Sequence, residues 1–181
     1  KGEIIAPSLT FSDHYRYARN IGVKIRPINL KKDLSIDLEK IETAVNQNTS
    51  LIYICNPNNP TGLTIDGNKL RDFCRSIDNR VTILIDEAYN ELVDKPNYTS
   101  MVDLINSGEN VIVMRTFSKI FGMAGMRVGY SMAKPDSLKN IGGHISSFPN
   151  VVGLAAAKAS YNDKDFIDFS RKKILEGRKM V

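Results

Sequence analysis

Three short stretches, Leu51-Ile52-Tyr53-Ile54-Cys55, Val81-Thr82-Ile83-Leu84-Ile85 and Val111-Ile112-Val113, are nearly unbroken apolar runs separated by segments of helical periodicity. A strand with one wet face alternates apolar and polar side chains, so a continuous run describes a strand covered on both faces. Strands of this kind alternating with helices specify an α/β fold, a mostly parallel central sheet flanked by helices. Such sheets bind ligands beyond the carboxyl ends of their strands.

The remaining segments fit that plan. Further strands are expected at residues 3–6, 23–28 and 128–133, the second ended by Pro27, which makes six strands in all. Helices are expected at residues 12–20, 66–77, 102–107, 137–145, 151–161 and 165–179. One more starts at an Asp37 cap and carries Leu38, Ile41 and Val45 on one side. Gly142-Gly143 and Phe148-Pro149 break the helical C-terminal third.

Composition narrows the function. With 181 residues, 42% hydrophobic and 25% charged, the chain suits one soluble globular domain with its own core. The net charge of +5 is scattered, without an arginine-rich run or interleaved aromatics, so nucleic acid is not the expected partner. No apolar run approaches a membrane span, and the expected location is the cytoplasm. Cys55 and Cys74 are far apart, with His14 and His144 isolated from them, so neither a metal site nor a disulfide framework is expected.

The polar signals sit where the strands end. The run at 51–55 stops at Asn56-Pro57-Asn58-Asn59-Pro60-Thr61-Gly62, an irregular loop forced by its prolines. The run at 81–85 closes on Asp86-Glu87-Ala88-Tyr89, and the third leads into Thr116-Phe117-Ser118-Lys119. A lysine amine becomes a useful nucleophile when burial or a neighbouring cation disfavours its ammonium form. Arg127 follows Lys119 across two glycines and mostly apolar residues, so both cations are expected to point into one pocket instead of water. A nucleophilic amine beside a guanidinium fork and two hydroxyls, Thr116 and Ser118, suits a carbonyl cofactor that carries a phosphate.

These three motifs, in this order and separation, resemble the fold-type I pyridoxal-phosphate enzymes, in particular class I/II aminotransferases of the histidinol-phosphate aminotransferase kind. The resemblance implies pyridoxal 5'-phosphate as cofactor, with Lys119 as the Schiff-base lysine that also moves the substrate proton. It implies that Asp86 faces the pyridine nitrogen, that Asn59 and Tyr89 hydrogen-bond the phenolic oxygen, and that Thr116, Ser118 and Arg127 hold the phosphate. Thr10-Phe11-Ser12 resembles the family's aromatic segment, which makes Phe11 the ring expected to stack on the cofactor.

The implied reaction is amino-group transfer between an amino acid or amino-alcohol phosphate, such as histidinol phosphate, and 2-oxoglutarate, in a homodimeric enzyme. The alternatives are a threonine-phosphate decarboxylase of cobalamin biosynthesis, which would hold the cofactor with the same residue types, and the aminotransferase-like ligand-sensing domain of a regulator. Relative to this family, residues 1–181 are expected to be a single fragment of the large domain. The N-terminal segment and the C-terminal small domain with the substrate-carboxylate arginine lie outside it, so little or no turnover and an uncovered sheet edge are expected of this stretch alone.

Overall fold

A computed structural model describes residues 2–145 and 147–180. Six strands form one sheet: β1 (Glu3–Pro7), β2 (Lys24–Ile28), β3 (Thr49–Cys55), β4 (Thr82–Asp86), β5 (Val111–Thr116) and β6 (Gly129–Met132), in the order β2-β1-β3-β4-β5-β6. Every neighbouring pair is parallel except β5 and β6, which are antiparallel. The mostly parallel α/β sheet expected from the apolar runs is therefore present.

Eight helices are described: α1 (Asp13–Asn20), α2 (Leu38–Ala44), α3 (Gly67–Ser76), α4 (Pro96–Thr99), α5 (Val102–Asn106), α6 (Pro135–Gly142), α7 (Val151–Ser160) and α8 (Lys164–Arg178). Their starts are written in the sequence. Asp37, Asp66, Asn150 and Asp163 each accept a hydrogen bond from an amide of the first turn, satisfying donors that a helix leaves free. The short α4 was not legible in the periodicity. Val45, assigned by its spacing to the second helix, lies just beyond its end in extended conformation.

Pro27 does not end its strand. It pairs with Ala6 inside β2, and β2 is the sheet edge, where a residue without an N–H leaves no ladder bond broken on the open side. Prediction from local sequence treats proline as a stop; position in the sheet decides otherwise.

The alternation of side chains along each strand divides the core. Ile52, Ile54, Ile83, Ile85 and Val113 face Ile41, Leu70, Phe73, Met101 and Leu104 from the helical layer. On the opposite face Tyr53 and Cys55 join Ala6 and Tyr15, with Leu51 and Leu84 alongside. The register places Cys55 beside Asp86 and Asp86 beside Met114. The last residue of β4 thus carries its carboxylate on the second face, and Glu87 turns to the first. A third cluster, Phe117, Ile120, Phe121, Val128 and Ala157, lies under the loop that joins β5 to β6.

Candidate active site

Asn59 and Tyr89 meet first. The loop after β3 has two cis peptide bonds, Asn56-Pro57 and Asn59-Pro60, and turns through Gly62, whose φ of +70° lies in the left-handed region that glycine adopts without a steric penalty. Asn58 is buried and braces the loop: its amide oxygen accepts from Thr10 Oγ1 at 2.7 Å and its Nδ2 donates to the Leu9 carbonyl at 3.1 Å. Its neighbour Asn59 is left facing outward, and Asn59 Nδ2 donates to the Tyr89 hydroxyl at 3.3 Å. Lys119 Nζ stands 5.1 Å from the centre of the Tyr89 ring, a cation–π contact. Three residues from three separate motifs therefore form one contiguous patch.

Asp86 is held from two sides. Its Oδ1 accepts from the Ala88 amide at 3.0 Å and its Oδ2 from the Tyr53 hydroxyl at 2.9 Å. Burial, then the adjacent Asp86 and Cys55, push the Tyr53 phenol far above its ordinary pKa, so it stays protonated and donates. The buried Cys55 thiol is pushed up to about 11, first by burial and then by Asp86; the Lys119 charge pulls weakly in the other direction. The thiol thus lies within electrostatic reach of both ends of the site. His14 rests on Tyr53 with ring centroids 4.0 Å apart, and burial lowers its pKa below the ordinary histidine value. Its Nε2 is buried with no hydrogen-bond partner. Phe11 is 40% exposed and lies 6.4 Å from the His14 ring, at the outer end of this aromatic row.

The third group is Thr116, Ser118 and Arg127. Thr116 Oγ1 accepts from the Ser118 amide at 3.0 Å, and Arg127 Nη1 donates to Ser118 Oγ at 3.4 Å and to the Ala124 carbonyl at 2.9 Å. Arg127 follows a short 3-10 turn, Ala124–Met126, with φ of +54°, a conformation uncommon for a residue with a side chain. Helix α7 closes on this loop tightly: a Cβ added at Gly153 would sit 2.6 Å from Val128 Cγ2 and 3.0 Å from the Met126 carbonyl.

One expectation needs correction. Lys119 and Arg127 belong to the same loop between β5 and β6, but both are exposed, so the lysine is not enclosed among its apolar neighbours. The reason lies in the turn itself. Phe117, Ile120 and Phe121 take the inward positions and build the third cluster, which directs Lys119 away from it.

Beneath the rim lies a network that motif reading passed over. Glu87, with no exposed surface, accepts from Arg115 Nε and Nη2 at 3.0 and 2.8 Å, from Ser100 Oγ at 3.0 Å and from the Met101 amide at 2.7 Å. Glu87 follows Asp86 and Arg115 precedes Thr116, so this pair ties together the two strand ends that carry site residues. A second acidic residue directly after Asp86 and an arginine near the end of the strand that starts at Val111 were the available signals, since charges inside a fold need partners.

A groove of about 520 Å³ opens beside Asn59 and Tyr89, walled by Leu92, Ile174 and Arg178 among others. A groove of about 570 Å³ between α2 and α3 contains none of the side chains selected from the sequence. No cluster of metal-ligating side chains occurs among the described residues. No helix among them is long and apolar enough to cross a membrane.

A parallel sheet with polar groups gathered past the ends of three neighbouring strands defines a ligand-binding α/β protein of the kind found in group-transfer enzymes. The family model for aminotransferases of class I and II matches residues 1–181, and the chain belongs to that family. Histidinol-phosphate aminotransferase 2 of Bacillus cereus is 35% identical over 168 residues, covering 91% of this chain and 45% of that protein. The Lysinibacillus sphaericus histidinol-phosphate aminotransferase is 34% identical over 176 residues, covering 97% and 48%. Among solved structures, histidinol-phosphate aminotransferase from Sinorhizobium meliloti in complex with pyridoxal-5'-phosphate superposes with a TM-score of 0.91 at 26% identity, over 98% of this chain and 48% of that one. The chain spans about half the length of the relatives it matches.

Proposed function

We propose that residues 1–181 form the cofactor-holding part of a pyridoxal-phosphate-dependent aminotransferase. The carrying observation is the contact chain Asn59–Tyr89–Lys119, which joins three separate motifs, with Asp86 three residues before Tyr89 and Thr116, Ser118 and Arg127 on or beside the lysine's own loop. The donor set fits the cofactor group by group. Lys119 supplies an amine for the aldehyde, Asn59 and Tyr89 supply donors for the phenolic oxygen, and Thr116, Ser118 and Arg127 supply hydroxyls and a guanidinium for the phosphate. Asp86 has both oxygens engaged by donors that fix its orientation, and each oxygen keeps a lone pair for a ring N–H. Phe11, exposed at the end of the aromatic row, is free to cover a ring face.

When bound, the cofactor supplies the electron sink for carbanion chemistry at the substrate α-carbon. The protein's part is to hold a negative charge at Asp86, to keep an amine at Lys119 within reach of the reacting carbon, and to move the α-proton with that amine once substrate has displaced it. The substrate reading is amino-group transfer from an amino acid or amino-alcohol phosphate, histidinol phosphate in the first instance, to 2-oxoglutarate. Support comes from the relatives of that name. A cytoplasmic homodimer for the whole protein belongs to the same proposal, and the exposed side chains of Phe148, Val151 and Val152 offer apolar surface for such contacts.

The test is chemical. The purified chain is incubated with pyridoxal phosphate, reduced with borohydride and mapped by peptide mass. Added mass confined to Lys119, and lost in Lys119→Ala, supports the reading; mass spread over surface lysines, or none, rejects it.

A further inference from the structure

Of the two hydrogen bonds that Asp86 accepts from the chain, one is local and one is not. The Ala88 amide is two residues away and follows whatever the turn does. Tyr53 comes from the neighbouring strand, 33 residues earlier in the chain. Tyr53 is 1% exposed, packed with Ala6, Tyr15 and Cys55 on one side of the sheet and met by the tilted His14 ring, so its hydroxyl is delivered from a densely packed part of the core. A turn contact alone leaves the carboxylate free to rotate about its last torsion. A second donor at the other oxygen removes that freedom.

We propose that Tyr53 is a positioning residue for cofactor binding: by donating to Asp86 Oδ2 it locks the carboxylate in the one orientation that presents its remaining lone pairs to the cofactor's ring nitrogen. This rests on the pyridoxal-phosphate reading above. Tyr53 touches no reacting atom and acts only through Asp86. The sequence placed Tyr53 in an apolar run, but its hydroxyl is what makes the position specific, because leucine or phenylalanine there would fill the same core without reaching the carboxylate.

Tyr53→Phe in the 181-residue chain keeps the ring and removes the donor. Pyridoxal phosphate is titrated against parent and variant, reading the dissociation constant and the visible absorbance of the bound cofactor. The expected result is a loss of affinity of about tenfold, the scale of one hydrogen bond to a charged group, with altered absorbance and a melting temperature lowered by only a few degrees. In an Asp86→Asn background the same change is expected to add little. Unaltered affinity and absorbance in Tyr53→Phe, or an equal loss in both backgrounds, would overturn the proposal while leaving the cofactor reading intact. A parent chain that binds no pyridoxal phosphate would overturn both. Site-specific 3-fluorotyrosine at position 53 covers the case of a variant that does not fold: its more acidic hydroxyl is expected to tighten binding, and no change would count against the proposal.

Discussion

At the Asp86 end of the candidate site, a phenol bonds the Asp86 carboxylate on one face of the sheet and a guanidinium bonds the Glu87 carboxylate on the other, whereas the loop between β5 and β6 carries Lys119 and Arg127 in solvent over a small apolar cluster of its own. The first region is built from long-range contacts: Tyr53 to Asp86 and Arg115 to Glu87 each span about thirty residues. The second is built from neighbours, with Thr116, Ser118, Ala124 and Arg127 bonded within one loop. Rigid placement thus resides in the sheet, which fixes the carboxylate proposed to face a ring nitrogen. The loop instead leaves its two cations exposed, the lysine proposed as the cofactor's anchor among them.

The sharpest way to separate the two is Lys119→Ala. Covalent labelling by pyridoxal phosphate and borohydride is expected to vanish, while unfolding free energy stays within about 0.5 kcal/mol of the parent, as for other exposed positions away from packed features. Urea titration and mass mapping on one sample report both. A large stability loss would show the loop to be part of the rigid region after all.

Glu87→Ala should do the reverse. It strands the Arg115 guanidinium in a largely buried position, and removing one partner of such a pair costs about 3–5 kcal/mol, measurable by urea unfolding. Replacing both, Glu87→Leu with Arg115→Met, is expected to recover most of that stability. It should not recover pyridoxal-phosphate affinity, because the side-chain link between the ends of β4 and β5 is gone and only the backbone pairing remains.

A smaller effect is expected at Ile120, which is 2% exposed under the lysine loop. Ile120→Val leaves a small void and should cost about 1 kcal/mol in the same unfolding assay, and it should slow labelling of Lys119 without altering the absorbance contributed by the Asp86 end. Equal change in both readouts would argue that the two regions move as one.

The smallest effect concerns Glu91, which feels Arg115, Glu87 and Arg171. Burial, the largest influence, raises its carboxyl pKa above the ordinary glutamate value. The folded chain therefore holds that proton to higher pH than the unfolded chain. Stability from this group is retained in acid and falls as the pH climbs from the ordinary glutamate range through the raised value. Glu91→Gln removes the slope, so melting curves are expected to show the variant gaining on the parent at pH 7 and matching it at pH 4. A gain that is the same at both pH values would assign the effect to packing.

Much of this was legible in residue order. The apolar runs at 51–55, 81–85 and 111–113 specified a parallel sheet, and the motifs that follow them marked the rim, since strand length and turn chemistry are local properties. Three things were not. Tyr53 read as one more apolar strand residue because its partner depends on register between β3 and β4. The pairing of Glu87 with Arg115 depends on β4 lying beside β5. The exposure of Lys119 depends on which of its neighbours win the inward positions, and Phe117, Ile120 and Phe121 do so together.

The antiparallel pairing of β5 with β6 sets Thr116 opposite Gly129. Everything between them, lysine and arginine included, is consequently a ring closed at its neck by the sheet ladder. Its base is fastened separately, by Phe117, Ile120, Phe121 and Val128 packing on Ala157 of α7. The lysine segment is in this sense a clasp with two fastenings, the ladder at its neck and the apolar cluster at its base, so a change that loosens either one moves the lysine.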